Sequence, residues 1–235
     1  MHNPELTRAF SAFSTAQVAD ACVRLGIPVR VAPPGIRSLA DGQRVAGLAR
    51  PVRHYGSVDV FLEALSDAAP GDVLVVDNGG RLDEGCIGDL IALECHAAEL
   101  AAIVIWGLHR DTAEIRRIGI PLFSYGACPA GPLRVDERET EALESARLGE
   151  HLVTREDVVF ADGDGVALVA SRHLPNVVPL AREIAEGEQA QASAVQAGHT
   201  LRAQFQFDEY LRRRQDDPSY TFRAHLRGVG KHVEE

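Results

Sequence analysis

The sequence predicts an α/β fold, and the stretch from Asp72 to Asp111 carries most of that prediction. Asp72-Val-Leu-Val-Val-Asp77 is an apolar run of strand length, and Ala101 to Ile105 is a second run rich in β-branched residues. Such runs mark short buried strands. Between them Asn78-Gly79-Gly80 is loop chemistry, and from Asp89 to Glu99 small and apolar residues recur at helical spacing, with Leu90, Leu93, Ala97 and Leu100 on the inferred apolar face. Strand, loop, helix, strand is the repeating unit of a parallel sheet. It brings the helix N-terminus and the C-terminal end of the next strand to one sheet edge, where α/β proteins usually bind ligands. Gly88 and Asp89 sit at that helix start, and Arg110-Asp111 follow that strand.

The remaining elements read in order. Residues 4 to 25 form one helix, with Leu6, Phe10, Phe13, Val18 and Cys22 on one side, a structural Asp20, and Gly26 as the stop. Pro33-Pro34-Gly35 is a loop, and Arg44 to Arg53 is a strand whose Arg50 and Arg53 either look into a cleft or are solvated. A helix from Val58 to Ala68 leads into the tight turn Pro70-Gly71-Asp72. The segment from Gly126 to Pro132 is either a plain connector or a flexible rim over a ligand. Arg155 to Val169 is a β-hairpin turned on Asp-Gly; Asp162 and Asp164 resemble calcium-loop residues, but strands on both sides favour a turn. From Leu174 to Arg214 the pattern is helical and highly charged, and Asp217 to Arg223 interrupts it before a short basic end. Leu201, Phe205, Phe207, Tyr210, Leu211 and Phe222 are too many apolar positions for an isolated solvated arm, so this extension is expected to dock on its own core or on another subunit.

The chemistry available at the sheet edge follows from residue types. Free N–H groups in the first turn of a helix bind an anion such as a carboxylate, and the helix dipole adds to the attraction. Arg110 can take the same anion bidentately, while Asp111 is a hard oxygen donor suited to a magnesium- or manganese-type ion held partly by water. A carboxylate pocket beside a divalent cation suits a 2-oxo acid and the enolate formed from it. The same residues also fit a surface Arg-Asp turn and an ordinary helix cap.

These motifs resemble the RraA-like family, which includes 4-hydroxy-4-methyl-2-oxoglutarate and 4-carboxy-4-hydroxy-2-oxoadipate aldolases and the regulator of RNase E activity. The family pattern Gly-Glu/Asp-Leu-Leu/Ile-Ala, a spacer, then Asp-Gly-x-x-Arg-Asp stands here as Gly88-Asp89-Leu90-Ile91-Ala92 and Trp106-Gly107-Leu108-His109-Arg110-Asp111. Supporting matches include Ser14 to Ala21, Gly47 to Val52, Pro70 to Asp77, Gly119 to Phe123 and Asp162 to Val166, so the resemblance spans residues 10 to 190. It implies a swivelling-type β/β/α three-layer fold over 1–190 with a C-terminal helical extension over 191–235, assembled as a homotrimer or homohexamer with sites between subunits. It implies that Gly88, Asp89, Leu90, Ile91 and Arg110 hold the substrate carboxylate, that Arg110 and Asp89 are catalytic, Asp89 from the metal's water shell, and that Asp111 carries the metal, Mg2+ or Mn2+. A neighbouring subunit's acid completes that shell in the family, and Glu183, Glu186 and Glu188 leave it unassigned. Trp106 departs from the family's acidic residue and His109 from an often apolar one; here they read as an apolar strand cap and a satisfied surface or loop histidine.

Composition narrows the classes. With 235 residues, 46% of them hydrophobic, and no Pro/Ser-rich linker, the chain can bury one good core. A formal charge of −10 argues against a nucleic-acid surface, which needs clustered Lys and Arg. Cys22, Cys86, Cys95 and Cys128 lack CxxC spacing and read as buried reduced thiols. The start has no apolar leader region, and no window approaches the roughly 18 apolar residues of a membrane span, so a cytoplasmic protein is expected. The expected function is a metal-dependent carbon–carbon lyase that releases pyruvate from a 4-hydroxy-2-oxo acid, or decarboxylates oxaloacetate. The alternative is a non-catalytic regulator that docks on a larger enzyme.

Overall fold

The computed structural model describes residues 3–230; Met1 and His2 of the expected leader-free start, and 231–235 of the basic end, lie outside them. The chain forms two compact units, Met1–Ala181 and Arg182–Glu235. In the first, α1 (Asn3–Phe10) and α2 (Thr15–Arg24) precede three strands, β1 (Arg30–Val31), β2 (Arg37–Ser38) and β3 (Val45–Arg53). Next come α3 (Asp59–Ser66), β4 (Val73–Asp77), β5 (Gly85–Ile87), α4 (Asp89–Ala97), β6 (Ala102–Trp106), β7 (Leu108–His109), α5 (Thr112–Ile118) and β8 (Leu122–Ser124). Two antiparallel pairs follow, β9 (Ser145–Leu148) with β10 (His151–Thr154), and β11 (Asp157–Asp162) with β12 (Gly165–Ala170).

The main sheet has eight strands in the order β1-β12-β11-β3-β4-β6-β8-β2. Its centre, β3-β4-β6-β8, is parallel, and the pairings outward from it are antiparallel. Side-chain alternation explains why the central strands read as unbroken apolar runs. Leu74, Val76, Ile103 and Ile105 enter one core with Phe61, Ile91, Cys95 and Ile115 from α3, α4 and α5. Val73, Val75, Ala102 and Val104 enter a second core with Ala146, Leu148 and Val153 from the β9–β10 hairpin. Both faces of the sheet are therefore covered, by helices on one side and by β structure on the other, and neither face can carry polar residues cheaply. A mixed α/β core of this form agrees with the predicted fold class.

Several expectations are corrected. The single helix over 4–25 is two helices, because Ser14 starts a new one in a capping box with Gln17, and Asp162 accepts from Thr15 N at 2.8 Å and Thr15 Oγ1 at 2.7 Å. All five residues of its predicted apolar side are nevertheless buried. Asp162 Oδ1 also accepts from Asp164 N at 3.0 Å, so the aspartates of the hairpin serve as a turn and a cap, as the flanking strands suggested. Helix α4 buries Ile91, Ala92 and Cys95, whereas Leu90 is 72% and Leu93 51% exposed, so its inward face is rotated from the one expected. Arg50 and Arg53 look neither into a cleft nor freely into solvent: Arg50 pairs with buried Asp72 at 2.5 Å, and Arg53 Nε donates to Ser145 O at 2.9 Å.

Helix α6 (Leu174–Gln196) leads into the second unit, where α7 (Leu201–Gln204), α8 (Phe207–Asp216) and α9 (Phe222–Gly228) follow. The long charged helix expected to reach Arg214 is broken after Gln196 by Gly198 at φ 93°. The aromatic residues of this unit gather on one another, with Phe222 5.0 Å from Tyr210, 5.7 Å from Phe207 and 6.1 Å from Phe205 between ring centroids.

Candidate active site

The short parallel pair β5–β7 builds the site. It lays the end of β5 beside the end of β7, so that Arg110 N donates to Ile87 O at 2.8 Å and the residues following each strand meet. After β5, Gly88 is the extended N-cap of α4 and opens the helix at Asp89. After β7, Arg110 leads to Asp111, which takes a left-handed conformation at φ 58° and caps α5. Aspartate tolerates that region better than most residues. The main-chain N–H of Asp89 points at Asp111 Oδ2, 3.3 Å away, and Arg110 Nε is 3.4 Å from the same oxygen. The helix N-terminus, guanidinium and carboxylate thus converge, with the Arg110 side chain 46% and that of Asp111 37% exposed.

Two glycines hold this convergence open. A Cβ on Gly88 would lie 2.3 Å from Asp111 Oδ2 and 3.0 Å from Arg110 Nε, and one on Gly131 would lie 2.6 Å from Arg110 Nη1. The 126–132 segment is a tied connector and not a loose rim: Cys128 N donates to His109 O and Gly85 N to Ala130 O, each at 2.8 Å. Its Cys128 is only half-buried, unlike the three other cysteines, which are buried as expected; burial pushes the thiols of Cys86 and Cys95 up to about 12.

A cavity of about 400 Å³ opens against these residues. Gly88, Asp89, Leu90, Ile91 and Arg110, all named from the sequence, line it, and Asp111 touches its wall through Asp89 and Arg110. The outward Leu90 and Leu93, with Val58 and Leu62, give it an apolar side. Trp106 and His109 do not line it. Trp106 lies over the Gly79-Gly80 turn, where a Cβ on Gly80 would come 2.8 Å from its Nε1. His109 is a buried histidine and not a surface one, its Nδ1 2.8 Å from Ser124 Oγ and its Nε2 3.0 Å from Thr112 Oγ1, and burial lowers its pKa. Among the described residues no three His, Cys, Asp or Glu side chains gather as a metal-ligand set.

One group on the cavity wall carried no motif in the sequence. His54, just after β3, lines the cavity and stacks on Phe61, with ring centroids 5.1 Å apart and planes at 13°. Behind it lies a buried polar cluster in which Asn78, Glu84 and Arg134 meet from segments distant in sequence, and Arg134 Nη2 is 3.0 Å from Glu84 Oε1. Only the pairing of β3 with β4 and the path of the 131–144 segment bring them together, which is why spacing could not reveal them.

Residues 15–168 match the model of a family described as RraA-like, Aldolase/RraA. The chain belongs to the RraA-like family. This family includes both aldolases and RNase E inhibitors, and its members are oligomeric. Among solved structures, the fold is similar to an uncharacterized protein from Pseudomonas syringae pv. tomato, at 25% identity and TM-score 0.74 over 85% of this chain and 96% of that one. It is also similar to RraAS2 of Streptomyces coelicolor, described as an unusual member of the RNase ES inhibitor RraA protein family, at 28% identity and TM-score 0.69 over 79% and 94% of the two chains. A third similar structure is the RNA-processing inhibitor RraA from Thermus thermophilis, at 26% identity and TM-score 0.55 over 64% and 91%. No helix among the described residues is long and apolar enough to cross a membrane.

Proposed function

We propose that this RraA-like protein is a carbon–carbon lyase for 2-oxo acids, releasing pyruvate from a 4-hydroxy-2-oxo acid and decarboxylating oxaloacetate. The observation that carries the reading is the meeting of Arg110 and the first turn of α4 on the wall of one cavity, with Asp111 in contact with both. Arg110 and the N–H groups that open α4 bind the substrate carboxylate, and the same guanidinium stabilises the negative charge that develops on the keto oxygen as the carbon–carbon bond breaks. Asp89, beside them, moves a proton through water, while Leu90 and Leu93 give the reacting carbons an apolar wall.

Asp111 and Asp89 are hard oxygen donors, and one or two carboxylates with several waters suit Mg2+ or Mn2+ better than a closed cage of side chains would. Such an ion, if held by Asp111, would supply Lewis-acid chemistry to the bound 2-oxo acid. In a homotrimer or a pair of trimers an acid from a neighbouring subunit would help to hold that ion. A pyruvate-release assay with 4-hydroxy-2-oxo acids and oxaloacetate, with Mg2+ or Mn2+ added and then chelated, tests this reading. Turnover that disappears on chelation and returns with metal supports it, and a metal-supplied protein that turns over none of these acids removes it. The second reading is a regulator docking on a larger enzyme, and it draws on the described roles of the Streptomyces and Thermus relatives.

A further inference from the structure

The cavity beside Arg110 combines a polar corner with an apolar wall. Arg110 and the opening turn of α4 supply the donors of that corner. The apolar wall comes from two helices. Leu90 and Leu93 stand at i and i+3 of α4, and Val58 and Leu62 at i and i+4 where α3 begins, spacings that put side chains on one helix face. All four line the cavity, and Val58 is 54%, Leu62 48%, Leu90 72% and Leu93 51% exposed, so a ligand can touch them. The charges along this wall do not balance. Arg110 is the one arginine or lysine among the described residues that line it, against two acids, Asp89 and the exposed Glu94 beside Leu93. His54 is buried, and burial lowers its pKa, so it brings no positive charge at neutral pH. Arg134 and Arg138 do not line the cavity; the first pairs with Glu84 and Asp136, the second with Glu63.

We propose that the site takes monocarboxylic 4-hydroxy-2-oxo acids whose C4 bears an alkyl or aryl group seated on Val58, Leu62, Leu90 and Leu93, and discriminates against those with a second carboxylate, a preference that rests on the lyase reading above. Arg110 and the first turn of α4 hold the one carboxylate. C4 is three bonds from that carboxylate carbon, so its substituent reaches roughly 5 Å away, about one turn along α4 and level with Leu93 and Glu94. A second carboxylate there meets leucine and a like charge, and loses hydration with no cation to compensate it. An apolar group gains instead, about fourfold in binding for each methylene it buries. Leu93 thus sets specificity by contact and Glu94 by repulsion. The product released with pyruvate is an apolar aldehyde or ketone.

Two acids of nearly equal shape test the preference on the metal-supplied full chain. 4-Hydroxy-6-methyl-2-oxoheptanoate carries an isobutyl group at C4, and 4-hydroxy-2-oxoadipate a carboxymethyl group. Pyruvate release should favour the isobutyl acid at least about tenfold in kcat/KM, since the two differ chiefly in a charge left unpaired. Leu93→Arg, at a half-exposed position, supplies the missing cation and should shrink that ratio about fivefold, the upper end for a partly exposed ion pair. Glu94→Gln removes the like charge and should shift the ratio the same way without a larger side chain. Equal rates, or a wild-type preference for the carboxymethyl acid, overturn the specificity and leave the lyase reading standing. A ratio that neither variant moves overturns the role of this wall. Decarboxylation of oxaloacetate with no cleavage of either hydroxy acid overturns the preference alone. Failure on all three acids overturns the lyase reading and the preference with it.

Discussion

Arg110 and Asp111 are neighbours of opposite charge, and their removal should fail in different ways. Arg110→Ala removes the carboxylate's bidentate partner and a donor to the developing oxyanion, so turnover in pyruvate release should fall on the order of 100-fold while metal binding survives. For Asp111 the choice of replacement matters, because its φ of 58° would strain an alanine and confuse loss of the carboxylate with loss of backbone fit. Asp111→Asn keeps a side chain that tolerates this conformation. It should weaken the metal first, so part of its activity returns at high Mg2+ or Mn2+ by mass action. Steady-state rates across a metal titration separate the two. A wild-type rate in Arg110→Ala, or an Asp111→Asn enzyme indifferent to added metal, would show that the roles are assigned wrongly.

At the scale of elements, the site depends on how closely the N-terminus of α4 approaches the turn after β7. Gly88 has an ordinary φ of −117°, so alanine there meets no backbone strain, but its Cβ would sit 2.3 Å from Asp111 Oδ2. Gly88→Ala should therefore displace the Asp111 carboxylate and reduce pyruvate release at least tenfold, a loss of about 1.4 kcal/mol in transition-state binding. The urea midpoint should move little, since only a half-exposed side chain has to shift. Normal activity in this variant would mean that the Asp89–Asp111 contact is unimportant. This part of the site was legible in the sequence because β5, α4, β6 and β7 are close in the chain and Gly88-Asp89 and Arg110-Asp111 each end or begin an element. The inward face of α4 was not, since Leu90 and Leu93 look like core residues until the cavity they line is known. The break at Ser14 was masked by apolar residues that stay buried on both sides of it. His54 was invisible for a different reason: its partners Asn78, Glu84 and Arg134 are gathered by tertiary structure and leave no spacing to read.

Among its described residues the first unit buries two histidines, His54 and His109, and burial lowers the pKa of each from its ordinary 6.5. The consequence for stability has a definite sign. Above about pH 7.5, a unit beyond the unfolded-state value, both rings are neutral whether the chain is folded or unfolded, and they impose no pH dependence. As the pH falls below that value the unfolded chain takes up protons that the folded one refuses, so stability present above the unfolded-state pKa is lost as the pH falls toward the folded ones. The slope is at most about 1.4 kcal/mol per pH unit for each histidine. Urea midpoints should therefore be flat above about pH 7.5 and decline through about pH 6.5 toward about pH 5.5, before most carboxylates titrate. His109→Gln should flatten that decline in part, because glutamine takes up no proton in either state, even if the loss of one of the bonds to Ser124 and Thr112 lowers the midpoint at every pH. An unchanged slope in this variant, or a wild-type midpoint that rises on acidification, would place the pH sensitivity of the fold in its carboxylates instead.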